Sequence, residues 1–184
     1  MVGRGLAAAA LLAWFWRHYT ELRAPARVSI ADAALAIGVG VAVAIAWIAL
    51  DAGWMVLGEA PAGFAPLRAD GSLDPVLLTL RLLGFVLIVP VMEELFWRSF
   101  LMRWIDRRDF LALDPRAASA MALFLSSFAF ALEHREWLAG LLAGLAFGMI
   151  YRRSGNLRAC IASHATTNLT IAGWVLATNQ WRLW

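Results

Sequence analysis

The chain has 184 residues, a suitable length for one domain, but 62% of them are hydrophobic and the mean hydropathy is +0.69, beyond an ordinary soluble core. The net charge is +3, and all sixteen Lys/Arg positions are arginine, set in short clusters between apolar blocks; that pattern suits the headgroups of a lipid bilayer and excludes a nucleic-acid-binding stripe. A lone cysteine, Cys160, excludes a disulfide within the chain. The expected class is an all-α, polytopic transmembrane helix bundle, a single membrane domain over residues 1–184 in a bacterial inner membrane, with about six membrane segments.

A helix needs about 20 residues to cross about 30 Å of hydrocarbon. The first apolar block, Leu6–Trp16, is too short for this, and no small-residue cleavage site follows it. It reads as the second half of a helix that starts ahead of this chain, anchored at the interface by Trp14, Trp16 and Arg17. Ile30–Leu50 is long enough to span. The glycine- and proline-rich loop 51–74 is the sizeable irregular connection. Val76–Ile105 predicts one long helix with Asp74 as N-cap and Pro75 in its first turn. Ala117–Leu132 and Trp137–Tyr151 predict shorter helices, and Leu157–Thr178 a final long one. Trp47, Trp54, Trp104, Trp137, Trp181 and Trp184 fall near helix ends, as interfacial belt residues do. Gly140, Gly144 and Gly148 recur every four residues on one helix face. In lipid such a stripe admits another backbone closely, either inside the chain or across a homodimer.

Arginine placement sets the orientation. Segments 17–27, 103–116 and 152–158 together hold ten arginines, and the alternate loops hold only Arg68 and Arg135. The three Arg-rich loops are therefore expected to be cytoplasmic, with loop 51–74 and Trp184 facing outward.

Inside the most apolar third lies Val86-Leu-Ile-Val-Pro90-Val-Met-Glu93-Glu94-Leu-Phe-Trp-Arg98. Carboxylates at membrane depth are expensive and mark function by default. Glu94 and Arg98 are at i and i+4, share a helix face and can pair. Glu93, rotated by about 100°, needs another partner. Pro90 removes a backbone N–H and clashes with the Val86 carbonyl, which predicts a kink just before the pair. Two other blocks bring polar groups into the membrane: His134 at the end of the fourth, and His164 and Asn168 four apart on the last. Buried separately, each would cost several kcal/mol; buried together they satisfy one another, so one shared cluster is expected. One distance resists this. His134 lies about 25 Å along its helix from Ala117, which puts it nearer the outer face than Glu93.

Glu93-Glu94-x-x-x-Arg98, then Phe130-x-x-x-His134, then His164-x-x-x-Asn168, in order on separate apolar helices, resembles the CPBP family. Those are the CAAX prenyl endopeptidases and their bacterial relatives, bacteriocin-processing and immunity proteins among them. The resemblance covers a catalytic core of about residues 75–178. The wording around the motifs, and the ending Leu176-Ala-Thr-Asn-Gln-Trp-Arg-Leu-Trp184, is similar to the CAAX-protease-related branch found beside bacterial exosortase systems. The resemblance implies a glutamate-type intramembrane endopeptidase acting on a membrane-anchored peptide or protein, without a cofactor. Glu93 would be the general base, with His134 holding the water. Arg98 would fix Glu94, and His164 and Asn168 would donate to the oxyanion. Two other readings stay open. Glu93, His134 and His164 could instead hold zinc with a fourth position for water, although no His-Glu-x-x-His is present. A non-enzymatic, peptide-binding or immunity-type membrane protein would use the same helices without chemistry.

Overall fold

The computed structural model of the protein describes residues 2–24, 29–59 and 63–184. Among the described residues it is all-α, with seven helices and one isolated antiparallel bridge between Leu67 and Leu73. The helices are α1 (Val2–Trp14), α2 (Thr20–Arg23), α3 (Ile30–Ala49), α4 (Pro75–Asp106), α5 (Ala120–Leu132), α6 (Trp137–Ser154) and α7 (Leu157–Thr178). Of these, α3 and α4 are long and apolar enough to cross a membrane. The length of α7 also suffices, but its inward face is polar, with Ser163, His164, Thr167 and Asn168 buried.

Local chemistry sets the boundaries. Asp74 caps α4 by accepting from the Val76 and Leu77 amides at 2.9 and 3.0 Å, with Pro75 behind it in the first turn. Ser119 caps α5 through the Ala122 amide at 3.0 Å, so this helix starts three residues later than the apolar pattern implied. Beyond its end, His134 turns back and bonds the Phe130 carbonyl at 2.8 Å. The His134 imidazole is thereby held against the last turn of α5. Gly155, at φ 64°, ends α6 in the left-handed conformation that glycine tolerates, and Asn156 caps α7.

Small residues decide how closely the helices approach. A Cβ on Gly40 would meet the Ser163 carbonyl and Thr166, so only glycine lets α3 lie this close to α7; Thr167 Oγ1 then donates to the Gly40 carbonyl at 2.9 Å. The stripe of Gly140, Gly144 and Gly148 faces Ala131, Ser127 and Leu123 of α5. These glycines serve contact within the chain, between α5 and α6.

The Arg-rich segments meet at one end of the bundle. Arg103 reaches Glu21 at 2.8 Å and the Leu113 carbonyl at 3.2 Å; Arg158 donates to the Leu22 and Ala24 carbonyls, and Arg116 to that of Ser154. Arg27 lies outside the described residues. At the opposite end Asp51 pairs with Arg135 and Arg182, and Trp137 donates to the Trp54 carbonyl at 2.8 Å.

Candidate active site

Glu94 is fully buried on α4 and receives three donors. Arg98, one turn on, approaches through Nε at 3.1 Å. His164 Nδ1 lies at 2.7 Å and Cys160 Sγ at 2.8 Å, both from α7. The spacing explains the geometry: residues 160, 164 and 168 recur every four positions and so form one stripe facing α4. A buried carboxylate without such partners would be strongly destabilising. The Arg98 guanidinium is itself held, lying 4.6 Å over the Phe130 ring and 5.5 Å over the Phe147 ring, with an Nη2 contact to the Gly144 carbonyl at 3.4 Å. Arginine suits this position because its planar cation can pair with Glu94 in its plane and stack on both faces.

Glu93 stands in contrast. Its Oε2 is buried without a hydrogen-bond partner among the described residues, and the nearest basic group is His164 Nε2 at 3.9 Å. His134 reaches the same region from α5. The Phe130 ring lies 4.4 Å from the His134 ring and 6.4 Å from the His164 ring, and Trp47 of α3 packs edge-on against His134 at 5.2 Å. A carbonyl can only accept, so His134 Nδ1 donates to Phe130; facing a carboxylate, His164 Nδ1 donates likewise. Both imidazoles are thereby oriented with Nε2 as the atom left for chemistry.

Asn168 donates through Nδ2 to the Phe85 carbonyl at 2.7 Å. Just ahead of Pro90, where the sequence predicts a kink, α4 takes a π-helical turn at Gly84–Ile88, in which the Val89 amide bonds Gly84 instead of Phe85. In that register residue 90 would serve Phe85, but proline has no N–H. The Phe85 carbonyl is orphaned, and Asn168 supplies the missing donor.

The structure thus brings Glu94, Arg98 and His164 into direct contact and sets Glu93 and His134 beside them. It ties Asn168 one turn further along α7 to the backbone of α4. Among the described residues no group of three or more His, Cys, Asp and Glu side chains gathers to hold a metal ion. Sequence reasoning missed Cys160, whose i, i+4 relation to His164 was the available signal. It also missed Phe147, which nothing in its surroundings marked out, and Trp47, which looked like an interfacial belt residue.

The family described as Type II CAAX prenyl endopeptidase Rce1-like matches residues 75–170, which carry all of these motif residues. No curated protein and no solved structure matches the chain.

Proposed function

Because the chain belongs to the Rce1-like family of type II CAAX prenyl endopeptidases, we propose that it is an intramembrane endopeptidase in which Glu93 activates water against a peptide bond of a membrane-anchored protein. The observation that carries this reading is the inequality of two adjacent carboxylates. Glu94 has Arg98, His164 and Cys160 as donors, while Glu93 Oε2 is buried with none among the described residues. The first is a structural anion, and the second is free to take a proton.

In the proposed reaction the substrate carbonyl lies beside Glu93 and His134. Glu93 removes one proton from water as its oxygen attacks the carbonyl carbon, and His134 Nε2 orients that water. The oxyanion receives hydrogen bonds from His164 Nε2–H, on a ring whose Nδ1 is held by Glu94, and from the second N–H of the Asn168 amide. Each donor of this kind is worth about 2.7–4 kcal/mol in the transition state. As the intermediate collapses, the C–N bond breaks and Glu93 returns its proton to the leaving amine. No covalent enzyme intermediate forms. The clustering of the Arg-rich segments at one end of the bundle supports a cytoplasmic location for that end, in an integral membrane protein. The tail of a sorted, membrane-anchored protein is the substrate class that an exosortase-associated role would favour.

The test is cleavage of a membrane-anchored peptide by purified protein. Glu93→Gln preserves shape and hydrogen bonding but cannot accept the proton, so expression and fold are retained while cleavage is lost; unchanged turnover would refute the mechanism. The same assay in strong chelator addresses the metal reading. Activity is expected to persist, whereas loss that zinc restores would move Glu93, His134 and His164 into a ligand set.

A further inference from the structure

A groove of about 700 Å³ runs between α1 and α4. Glu21, just beyond α1, bonds Ser99 and Arg103 near the end of α4, so α1 runs in the same direction as α4 and its start lies towards the Pro75 end. The groove floor is the α4 face bearing Leu80, Gly84, Ile88 and Met92, and its charged lining residues among those described are Arg4 and Arg81. Both lie towards the same end. The Arg81 guanidinium lies against two aromatic rings, 5.3 Å from the centre of Phe64 and 5.0 Å from that of Trp184. Ring contacts of this kind leave the guanidinium its charge, which attracts phosphate or carboxylate. Glu93, Glu94 and Arg98 do not line this groove.

We propose that the groove is a binding site for one anionic phospholipid, with its phosphate at Arg4 and Arg81 and one acyl chain lying along α4 as far as Met92. Three features select this occupant. The surrounding solvent of a membrane bundle is hydrocarbon, so an apolar groove open at its side takes an acyl chain without desolvation cost. The charge at the headgroup end is positive, and arginine there attracts anionic lipid. The depth also matches. From Arg81 to Met92 is eleven residues, about 16 Å of helix, close to half of the roughly 30 Å hydrocarbon thickness and so to one leaflet.

The experiment is native mass spectrometry of the full chain released from detergent containing equal amounts of phosphatidylglycerol and phosphatidylcholine with the same acyl chains. The parent protein is expected to carry one lipid, with phosphatidylglycerol in excess. The double variant Arg4→Gln/Arg81→Gln loses charge-assisted hydrogen bonds and is expected to retain phosphatidylglycerol about tenfold less. Arg81 is held by aromatic contacts and its replacement can disturb the fold, so Gly84→Trp provides a second arm. A Cβ at Gly84 meets nothing within 4 Å, so an indole can enter the groove while both arginines stay. This variant is expected to lose the bound lipid. Equal retention of the two lipids by the parent overturns the proposal, as does phosphatidylglycerol retention by Gly84→Trp at the parent level. Displacement of the lipid by a membrane-anchored peptide substrate would assign the groove to substrate and also overturn it. None of these readouts requires cleavage, so they stand apart from the catalytic reading.

Discussion

Glu94 and Arg98 form a pair in which each side chain depends on the other. Arg98 is 2% exposed and sits on Phe130 and Phe147, and Glu94 is 0% exposed, so neither can turn to water if its partner is removed. Arg98→Ala is therefore expected to destabilise the protein by about 3–5 kcal/mol, the usual consequence of leaving one buried charge unpaired. Equilibrium unfolding in detergent measures this, and a variant that unfolds with the parent would contradict it. Arg98→Lys should restore little, because a compact ammonium cannot pair and stack at once. At this scale the Glu94–Arg98 pair was legible from spacing alone. The Cys160 contact was not, since a buried thiol commonly serves as core and only tertiary packing puts it against a carboxylate.

Within α4, proline, the π turn and Asn168 act together. The Val89 amide bonds Gly84, Pro90 has no N–H to offer, and the Phe85 carbonyl is left to Asn168. This arrangement leads to a double-mutant cycle. Asn168→Ala alone leaves a buried carbonyl unsatisfied, costing about 1–3 kcal/mol of stability. Pro90→Ala supplies a backbone N–H at the position that can serve Phe85, so in that background the stability cost of Asn168→Ala should nearly vanish. Additive costs in the cycle would show that the two residues are not coupled through Phe85. Catalytic loss in Asn168→Ala should persist in both backgrounds, because the proposed oxyanion contact has no such substitute. The sequence indicated a break in α4 through Pro90. That the break takes the form of a π turn depended on whether a neighbouring helix could complete the freed backbone, and that is a tertiary matter.

The whole molecule has two charged ends and, between them, an apolar bundle around the buried Glu94–Arg98 pair. Glu21 ties α2 to Arg103 and Ser99 on α4 and to Tyr151 on α6, closing one end; Asp51, Arg135 and Arg182 close the other. Orientation can be tested with introduced cysteines, since the native Cys160 is buried. In intact cells a membrane-impermeant thiol reagent is expected to label Ser72→Cys and to miss Ala117→Cys until the membrane is opened. The reverse pattern would invert the topology drawn from the arginines.

Hydropathy, caps and spacing in the sequence determined the all-α membrane class, the order of helices and the residues of the three motifs, because each depends on a period or a local bond along one chain. Asp74, Pro75 and the Leu157–Thr178 span are where the sequence puts them for that reason. Only the tertiary structure decided which partners the motif residues have. Glu93 and Glu94 are chemically identical neighbours, and what separates them is that Arg98 of α4 and His164 and Cys160 of α7 all reach Glu94. The same holds for Gly140, Gly144 and Gly148, whose period permits any close partner; α5 fills that place because its small side chains at Ser127 and Ala131 let it approach. Periodicity fixes which face a residue occupies, and packing alone fixes what that face meets.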